Sequence, residues 1–370
     1  MELETANAGT SLSDILRVYS ALVPPKQIKV PPVFTFSEVH DFLLNNILLN
    51  EHLNQYPPAQ TYQRRFWKRA LEQLEILSQN EEDSEIDELI YQHYLSLVPL
   101  AGEDALPHDS YITHYWKPPV SKHGFSESKC TYETATLLES QTTIAAGTTG
   151  LRTWRASLTL AQYLIGHADL VVHSTVLELG AGIGFLGIMV ASLQLHSGLT
   201  SQSALANSTQ SITIPTIVLT DVDSCVLDRC RSNVTLPCNW SSLHPNIQYR
   251  QLDWFDAISA PENLDTLLTE VNADIILGAD IAELGQTQVF DPALVPPLVT
   301  TLSTALSQAH AQMALVALTV RNEETFFYFL KETENVLVVE TIGHSMTSNF
   351  VLDQVDAGQE VKILRITKQA

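Results

Sequence analysis

Apolar residues recur at three- and four-residue spacing over the first hundred residues, and this pattern predicts amphipathic helices. Thr35-Phe36-Ser37-Glu38 forms a capping box, and the apolar face of the helix that it opens would consist of Phe36, Val39, Leu43 and Ile47. A second helix would have its apolar face at Phe66, Ala70, Leu74 and Leu77. A third, with Ser84 as its N-cap, would turn inward Ile86, Leu89, Ile90 and Tyr94. We therefore predict a helical module over residues 1–100, followed by a linker over residues 101–129.

From residue 130 onward, short β-branched apolar runs alternate with helical stretches. Residues 132–144 alternate well enough for a strand or a hairpin, and a helix with the stripe Trp154, Leu158, Ala161 and Leu164 leads to a strand at Val176. Six further strands are predicted at Ile214–Thr220, Ile247–Leu252, Asp274–Gly278, Ala314–Val320, Val336–Thr341 and Val361–Ile366, with helices around Pro296–Ala309 and Glu323–Lys331. Seven strands mostly joined by helices imply an α/β domain over residues 130–370, with a largely parallel, doubly wound sheet.

The strand at Val176 runs into a glycine turn and then into a helix. Its three glycines, Gly180, Gly182 and Gly184, allow the backbone to turn sharply and to bring its N–H groups against a ligand. From Gly182 to Gly187 the spacing also matches G-x-G-x-x-G, the pattern of dinucleotide sites, but that match alone is weak evidence. This stretch is typical of a nucleotide-type site.

Glu178, two residues before the first glycine, bears on which nucleotide is bound. A carboxylate at the end of the strand would repel a pyrophosphate, whereas it would attract S-adenosylmethionine, which carries an ammonium, a sulfonium and no phosphate. The pattern E-x-G-x-G-x-G is that of class I methyltransferases, while a site for NAD or FAD and a turn without a ligand are the alternatives. We predict S-adenosylmethionine as the cofactor, with contacts from Glu178, Gly180, Ala181, Gly182 and Gly184.

Carboxylates and indoles follow or flank the neighbouring strands. Asp221 could accept hydrogen bonds from both ribose hydroxyls of the donor, with Asp223 as its rival, and either could instead cap a turn or helix. Asp253 and Trp254 suit adenine, the carboxylate for the exocyclic amine and the indole for the purine face. Trp154 could shield the methionine end through a cation–π contact, or it could be a core residue.

Asp280 follows Ala279 at the end of the fourth strand, beside the place where the reacting group must enter. Methyltransferases that act on adenine or glutamine nitrogen open an Asn/Asp-Pro-Pro-Tyr/Phe motif here, and Ala279-Asp280-Ile281 lacks it. A lysine fits better, because a carboxylate can hold the incoming ammonium until it loses its proton and attacks the methyl group. Positioning and desolvation would supply most of the rate.

The charge balance restricts the class of partner. With 20 basic and 42 acidic residues, the chain carries a formal charge of −22, which repels phosphate backbones and anionic membranes and attracts basic partners. We expect no direct binding of nucleic acid and no membrane association. The four cysteines show neither the C-x-x-C spacing of a metal site nor the density of a disulfide scaffold, and Met1 to Asp14 shows no signal peptide. We expect a cytoplasmic monomer without a metal ion.

Several segments resemble a known family, the eukaryotic protein-lysine methyltransferases that modify elongation factor 2, within the wider group of seven-strand lysine methyltransferases. They are Glu139-Ser140, Gly147-Thr148-Thr149-Gly150-Leu151, Thr153-Trp154, Val176–Gly187, Gln251-Leu252-Asp253-Trp254, Ala279-Asp280 and Leu318-Thr319-Val320-Arg321-Asn322. The Gly-Thr-Thr-Gly-Leu and Thr-Val-Arg-Asn segments are specific to the family, whereas the whole superfamily shares the glycine turn. The N-terminal helical extension is also similar.

The resemblance implies a class I, Rossmann-like, seven-strand methyltransferase sheet with an N-terminal helical module. It further implies methylation of a lysine in elongation factor 2, with donor contacts at Trp154, Gly180, Gly182, Asp221, Trp254 and Ala279.

One departure from the family concerns the segment after Asp280. The wider group continues Asp-x-x-Tyr/Phe, which would place an aromatic residue beside the catalytic aspartate. Here residues 282–288 precede Val289-Phe290-Asp291, and their removal would restore Asp-Ile-Val-Phe-Asp. We interpret residues 282–288 as an insertion, either a true loop or an error in the gene model. Asp280 and Phe290 are the predicted catalytic residues, and the insertion bears directly on the role of Phe290.

Overall fold

The computed structural model describes residues 11–79, 81, 84–98, 109–119, 132–142, 148–204, 214–281, 292–343 and 360–369. Contacts divide the chain into two compact units. One unit contains the described residues up to Tyr115 together with Thr136–Gln141, and the other contains the described residues of 116–135 and those from Thr142 onward. The boundaries drawn from the sequence at residues 100 and 130 remain predictions.

The first unit is helical. Its described α-helices are α1 (Leu12–Ser20), α2 (Phe36–Phe42), α3 (Glu51–Gln55), α4 (Gln60–Ser78) and α5 (Glu88–Ser96). A 3-10 turn covers Pro25–Gln27, and a π-helical segment, Leu43–Leu48, continues α2. Strands β1 (Ser110–Trp116) and β2 (Glu133–Glu139) form a separate two-stranded sheet.

The predicted capping box opens α2 as expected. The Thr35 hydroxyl accepts a hydrogen bond from the Glu38 backbone N–H at 3.3 Å, and the Glu38 carboxylate accepts one from the Thr35 N–H at 2.9 Å. Each bond satisfies a backbone donor that the helix start would otherwise leave unpaired. The predicted apolar face of this helix is confirmed, since Phe36, Val39, Leu43 and Ile47 are all buried in one core.

The prediction for the third helix is wrong at its start. Helix α5 begins at Glu88, and its N-cap is Asp87, whose carboxylate accepts a hydrogen bond from the Leu89 N–H at 2.8 Å. The Ser84 hydroxyl donates to the carbonyls of Ser78 and Glu81 instead. Leu89 therefore lies in the first turn, where its side chain is 46% exposed, while the next residue, Ile90, is fully buried.

A seven-stranded sheet forms the centre of the second unit, as predicted. Its strands are β3 (Val176–Leu179), β4 (Ile217–Asp221), β5 (Ile247–Gln251), β6 (Ile275–Ala279), β7 (Met313–Val320), β8 (Leu337–Ile342) and β9 (Glu360–Lys368). Their spatial order is β5-β4-β3-β6-β7-β9-β8. Pairs from β5 to β7 are parallel, and β9 is antiparallel to both β7 and β8. The largely parallel, doubly wound arrangement predicted from the sequence is therefore confirmed.

Helices cover both faces of the sheet. They are α6 (Arg155–Gly166), α7 (Phe185–Ala204), α8 (Ser224–Val234), α9 (Asp256–Ser259), α10 (Pro261–Val271), α11 (Val295–Ser307) and α12 (Glu323–Glu334). Because successive strand residues point to opposite faces, a strand covered on both sides must be apolar throughout. Leu177 and Leu179 of β3 pack in one core with residues of α10 to α12, and the intervening Val176 and Glu178 are buried as well.

The chain reverses its direction of winding at β3. This strand pairs with β4 on one side and with β6 on the other. The connection after β3 leads to β4, whereas the connection after β6 leads to β7, toward the opposite edge of the sheet. In open parallel sheets, ligands bind at such a switch point, at the carboxyl ends of the strands. The glycine turn after β3 lies at this position.

Candidate active site

The turn after β3 has a backbone conformation that only glycine adopts easily. Gly180, Gly182 and Gly184 have φ angles of +64°, +52° and +91°. A Cβ at Gly182 would also lie 3.2 Å from the carbonyl oxygen of Gly150, and one at Gly184 would lie 2.8 Å from the Cys230 sulfur. The turn is therefore packed closely against the chain on both sides, and a side chain at either position would be strained.

The described part of the Gly-Thr-Thr-Gly segment packs against this turn. Within it, the Gly150 N–H donates to the Thr148 hydroxyl at 3.0 Å, and the indole N–H of Trp154 donates to the Thr149 carbonyl at 3.1 Å. Trp154 is the residue that precedes the first turn of α6. The segment therefore links Trp154 to the glycine turn, although Gly147 lies outside the described residues.

Asp221 and Asp223, the two candidates for the ribose, have different positions. Asp221 ends β4, and its carboxylate accepts hydrogen bonds from the N–H groups of Gly182 at 3.1 Å and Asp223 at 3.2 Å. Asp223 is the N-cap of α8, where it accepts from Cys225 at 2.8 Å. Burial raises the pKa of the Asp221 carboxyl, and the backbone hydrogen bonds oppose that rise. Only Asp221 joins the glycine turn.

Glu178 is buried at the end of β3. Burial, together with the nearby Asp221 charge, raises the pKa of the Glu178 carboxyl to about 8, and a hydrogen bond from the backbone of Gly187 opposes that rise. The Oε2 atom of Glu178 has no hydrogen-bond partner in the described part of the chain. A buried carboxylate oxygen without a partner is costly, and a cationic group bound here would offset that cost.

Asp253 and Trp254, predicted for adenine, follow β5. A Cβ at Gly180 would lie 3.5 Å from the Trp254 ring, which is 5% exposed and packs in the core with Leu179 and Ile281. The Asp253 carboxylate accepts from the Phe255 N–H at 2.9 Å and so closes a local turn. Trp254 therefore lies against the glycine turn, whereas the Asp253 carboxylate bonds to the backbone of its own local turn.

Asp280 has an unusual conformation and a fully engaged side chain. Its φ is +51°, and its side chain is 3% exposed. The carboxylate accepts from the Thr319 N–H at 2.7 Å, from the Thr319 hydroxyl at 2.9 Å and from the backbone of Ala156, the second residue of α6. Burial raises the pKa of the Asp280 carboxyl, and these bonds and Arg321 oppose that rise. Asp280 thereby joins the ends of β6 and β7 to the start of α6.

Arg321 connects Asp280 to Trp154. Its guanidinium nitrogen lies 3.9 Å from Asp280 Oδ2, and its guanidinium carbon lies 5.0 Å from the centre of the Trp154 ring.

The remaining predicted site residues are Ala279, Ala181 and Phe290. Ala279 is the last residue of β6, and the Ala181 N–H donates to the Thr220 carbonyl at 2.7 Å. Phe290 and the proposed insertion, 282–288, lie outside the described residues.

Three residues with contacts at the site were not identified from the sequence. Asn233 is 1% exposed, and its side-chain amide donates to the Ile183 carbonyl at 3.1 Å, which fixes the glycine turn from α8. Thr319 and Arg321 lie in the Leu318–Asn322 segment, for which the family resemblance was the only signal. No local pattern distinguishes Asn233 from any other helical asparagine.

Across the ranges that the structure describes, no group of three or more His, Cys, Asp or Glu side chains is arranged to hold a metal ion. Of the helices described above, none combines the length and the apolarity that a membrane crossing requires.

Comparison with known proteins identifies the family. Protein-lysine N-methyltransferase EFM3 of Chaetomium thermophilum is 29% identical and aligns with 74% of this chain and 72% of its own length. Protein-lysine N-methyltransferase EEF2KMT of Bos taurus is 28% identical over 75% of this chain and 72% of its own. The EFM3 of Saccharomyces cerevisiae is 25% identical over 78% and 74%. The model of the lysine methyltransferase family matches residues 134–334, more than half of the 370 residues, and the chain therefore belongs to that family.

Proposed function

We propose that this lysine methyltransferase takes its methyl group from S-adenosylmethionine and transfers it to a lysine of elongation factor 2. The choice of donor is based on one observation, the buried carboxyl group of Glu178. Its Oε2 atom has no hydrogen-bond partner within the described ranges, and Glu178 lies two residues before the first of three glycines with positive φ. A buried carboxyl group that a bound cation would favour in its charged form, beside a glycine turn at the carboxyl end of a strand, suits a ligand that is cationic at one end and a nucleoside at the other.

Different residues of the chain would bind different parts of this donor. Glu178 would face its cationic end, Asp221 would accept from the ribose hydroxyls, and Asp253 and Trp254 would contact adenine. Trp154, Gly180, Ala181, Gly182, Gly184 and Ala279 would complete the site. When bound, the donor supplies an electrophilic methyl group. The chain would orient a lysine amine toward it and exclude water, which accounts for much of the rate in such transfers.

Asp280 and Phe290 are proposed to act on the lysine. Both oxygens of the Asp280 carboxylate already accept hydrogen bonds from Thr319, so an ammonium would meet the carboxylate beside its longer contact, that with Arg321 at 3.9 Å. The acceptor requires deprotonation before it attacks, and a carboxylate at this place could hold the ammonium until the proton leaves.

The choice of elongation factor 2 rests on the family segments and on the named relatives. The formal charge of −22 adds support, because an acidic enzyme attracts a basic protein partner and repels nucleic acid. We further propose that the enzyme acts as a monomer in the cytoplasm and does not contact nucleic acid or membranes directly.

Transfer of a labelled methyl group tests the proposal. The full chain, labelled S-adenosylmethionine and purified elongation factor 2 should yield a methylated lysine detectable by mass spectrometry, and a cell lysate should show one band of the same size. At a donor concentration near the wild-type dissociation constant, Asp221→Ala should strongly reduce the label, whereas Asp223→Asn, which keeps the helix cap, should retain it. Labelling confined to another protein, a small molecule or RNA would refute the choice of substrate, and donor binding without any transfer would indicate a binding module.

A further inference from the structure

Trp154, Arg321 and Asp280 form a continuous line of contacts across the carboxyl end of the sheet. The Arg321 guanidinium lies over one face of the Trp154 ring, 5.0 Å from its centre, and 3.9 Å from the Asp280 carboxylate. The Arg321 side chain is 26% exposed and that of Asp280 is 3% exposed, so both charges are shielded from water on most sides. A planar guanidinium that stacks on an indole restricts the orientation of the ring.

Asp280 is itself held rigidly. Thr319 donates to it through both its N–H and its hydroxyl, at 2.7 and 2.9 Å, and the backbone of Ala156 supplies a third hydrogen bond from the first turn of α6. Three donors and a guanidinium around one carboxylate favour its charged form against the effect of burial. The guanidinium over Trp154 therefore has a fixed anion beside it.

We propose that Arg321 positions Trp154 for the methyl donor, and that Asp280 compensates the Arg321 charge so that it does not repel the donor's sulfonium. The inference rests on the proposed function, because that proposal is what places S-adenosylmethionine beside Trp154. It assigns Arg321 a role in positioning, not in the chemistry, and it gives Asp280 a role in binding the donor before any lysine arrives.

The charge of the donor provides a specific readout. S-adenosylhomocysteine, the reaction product, keeps the nucleoside and the ammonium but lacks the sulfonium charge. A purely structural defect would weaken both ligands alike, whereas an uncompensated guanidinium would weaken S-adenosylmethionine selectively. The ratio of the two dissociation constants, measured by calorimetry on the full chain without a protein substrate, separates the two causes.

Asp280→Asn is the first variant, since it keeps the shape of the side chain and removes its charge. The preference for S-adenosylmethionine over S-adenosylhomocysteine should fall by roughly tenfold, because an uncompensated charge acts strongly in a partly buried site. Arg321→Met should have the opposite effect and raise the preference for S-adenosylmethionine over S-adenosylhomocysteine. The double variant should return to within about threefold of the wild-type ratio, as expected when two neighbouring charges are coupled.

Arg321→Lys tests the stacking separately. It keeps the charge but loses the planar fork, so both ligands should bind more weakly while their ratio changes by less than about threefold. The control is an exposed pair of similar geometry on β8 and β9, Glu340 and Arg365, whose side chains are 3.9 Å apart. Glu340→Gln and Arg365→Met should leave both affinities and their ratio unchanged.

The outcomes distinguish this inference from the proposed function. If the wild-type chain binds neither ligand, the proposed donor is wrong and the inference fails with it. If the wild type binds both, and Asp280→Asn and Arg321→Met leave the ratio unaltered, only the inference is overturned. Should Asp280→Asn fail to fold, Arg321→Met alone decides, because its shift has a predicted sign.

Discussion

The Asp221 carboxylate accepts a hydrogen bond from the Gly182 N–H, 3.1 Å away, and so ties the end of β4 to the glycine turn after β3. Two residues later, Asp223 caps α8 and accepts from the Cys225 N–H. The same side chain, placed twice within three residues, therefore bonds to the glycine turn in one case and caps a helix in the other. This separation leads to the first prediction.

Asp221→Ala should weaken binding of S-adenosylmethionine by roughly 10- to 100-fold, because hydrogen bonds to a charged acceptor are lost. Asp223→Ala is the matched control and should leave that affinity unchanged while it lowers the free energy of unfolding by about 1 kcal/mol through loss of the cap. Calorimetry and urea unfolding measure the two quantities. Equal losses of donor affinity in both variants would contradict the assignment.

Glu178→Gln should raise the stability of the protein near neutral pH. The folded-state pKa of Glu178, about 8, lies above its ordinary value of 4.5, so the folded form retains a proton that the unfolded form has lost between these values. The contribution of this carboxyl to the free energy of unfolding is therefore complete below about pH 4.5 and is lost as the pH rises through about 8. Glutamine does not titrate.

The measurement compares urea unfolding of the wild type and Glu178→Gln at pH 5, 6.5 and 8. The variant should gain on the order of 1–3 kcal/mol over the wild type by pH 8, and the gain should shrink toward pH 5. The same variant should bind S-adenosylmethionine more weakly, because glutamine, unlike Glu178, cannot lose a proton and pair as an anion with a bound cationic group. A stability difference that does not change with pH would show that Glu178 is ionised in the folded protein.

Gly182→Ala should destabilise the protein by about 1–3 kcal/mol, since φ is +52° and the added Cβ would lie 3.2 Å from the Gly150 carbonyl. The matched control is Gly166→Ala at the end of α6, where a Cβ would meet no atom within 4 Å. That variant should be neutral or gain up to about 1 kcal/mol from helix propensity. Thermal unfolding of both variants compares them, and equal melting temperatures would count against the tight turn.

Thr319→Val should lower the free energy of unfolding by roughly 1–3 kcal/mol, because the buried Asp280 carboxylate loses a hydroxyl donor at 2.9 Å. Thr301→Val on α11 is the control. The Thr301 hydroxyl is buried and has no hydrogen-bond partner among the residues that the structure describes, so its replacement by a methyl should be neutral or stabilising. Urea unfolding gives both values, and a larger loss at Thr301 would be the contrary result.

Local patterns in the sequence predicted the fold well. The strands were visible because each is a short apolar run, and a largely parallel, doubly wound sheet follows from their number and from the helices between them. The start of α5 was predicted wrongly because Ser84 and Asp87 are both good caps by type. The choice depends on Ser84 donating to Ser78 and Glu81, which no periodicity reveals.

The surroundings of the predicted site residues were harder to predict. Asp280 was identified from its place at the end of a strand, but its bonds to Thr319 span 39 residues of sequence and depend on β6 and β7 being neighbours. Its left-handed backbone, with φ at +51°, has no signature in Ala279-Asp280-Ile281. The cation–π contact of Arg321 with Trp154 joins two segments that the sequence connects only through a family resemblance.

The antiparallel strand β9 lies between β7 and β8 and pairs with both. On a translating ribosome, β8 emerges before β9 and has no edge to join until residues 360–368 have left the exit tunnel. The parallel half of the sheet, from β5 to β7, can assemble earlier, so maturation of this domain ends with the insertion of one late strand that brings β8 with it.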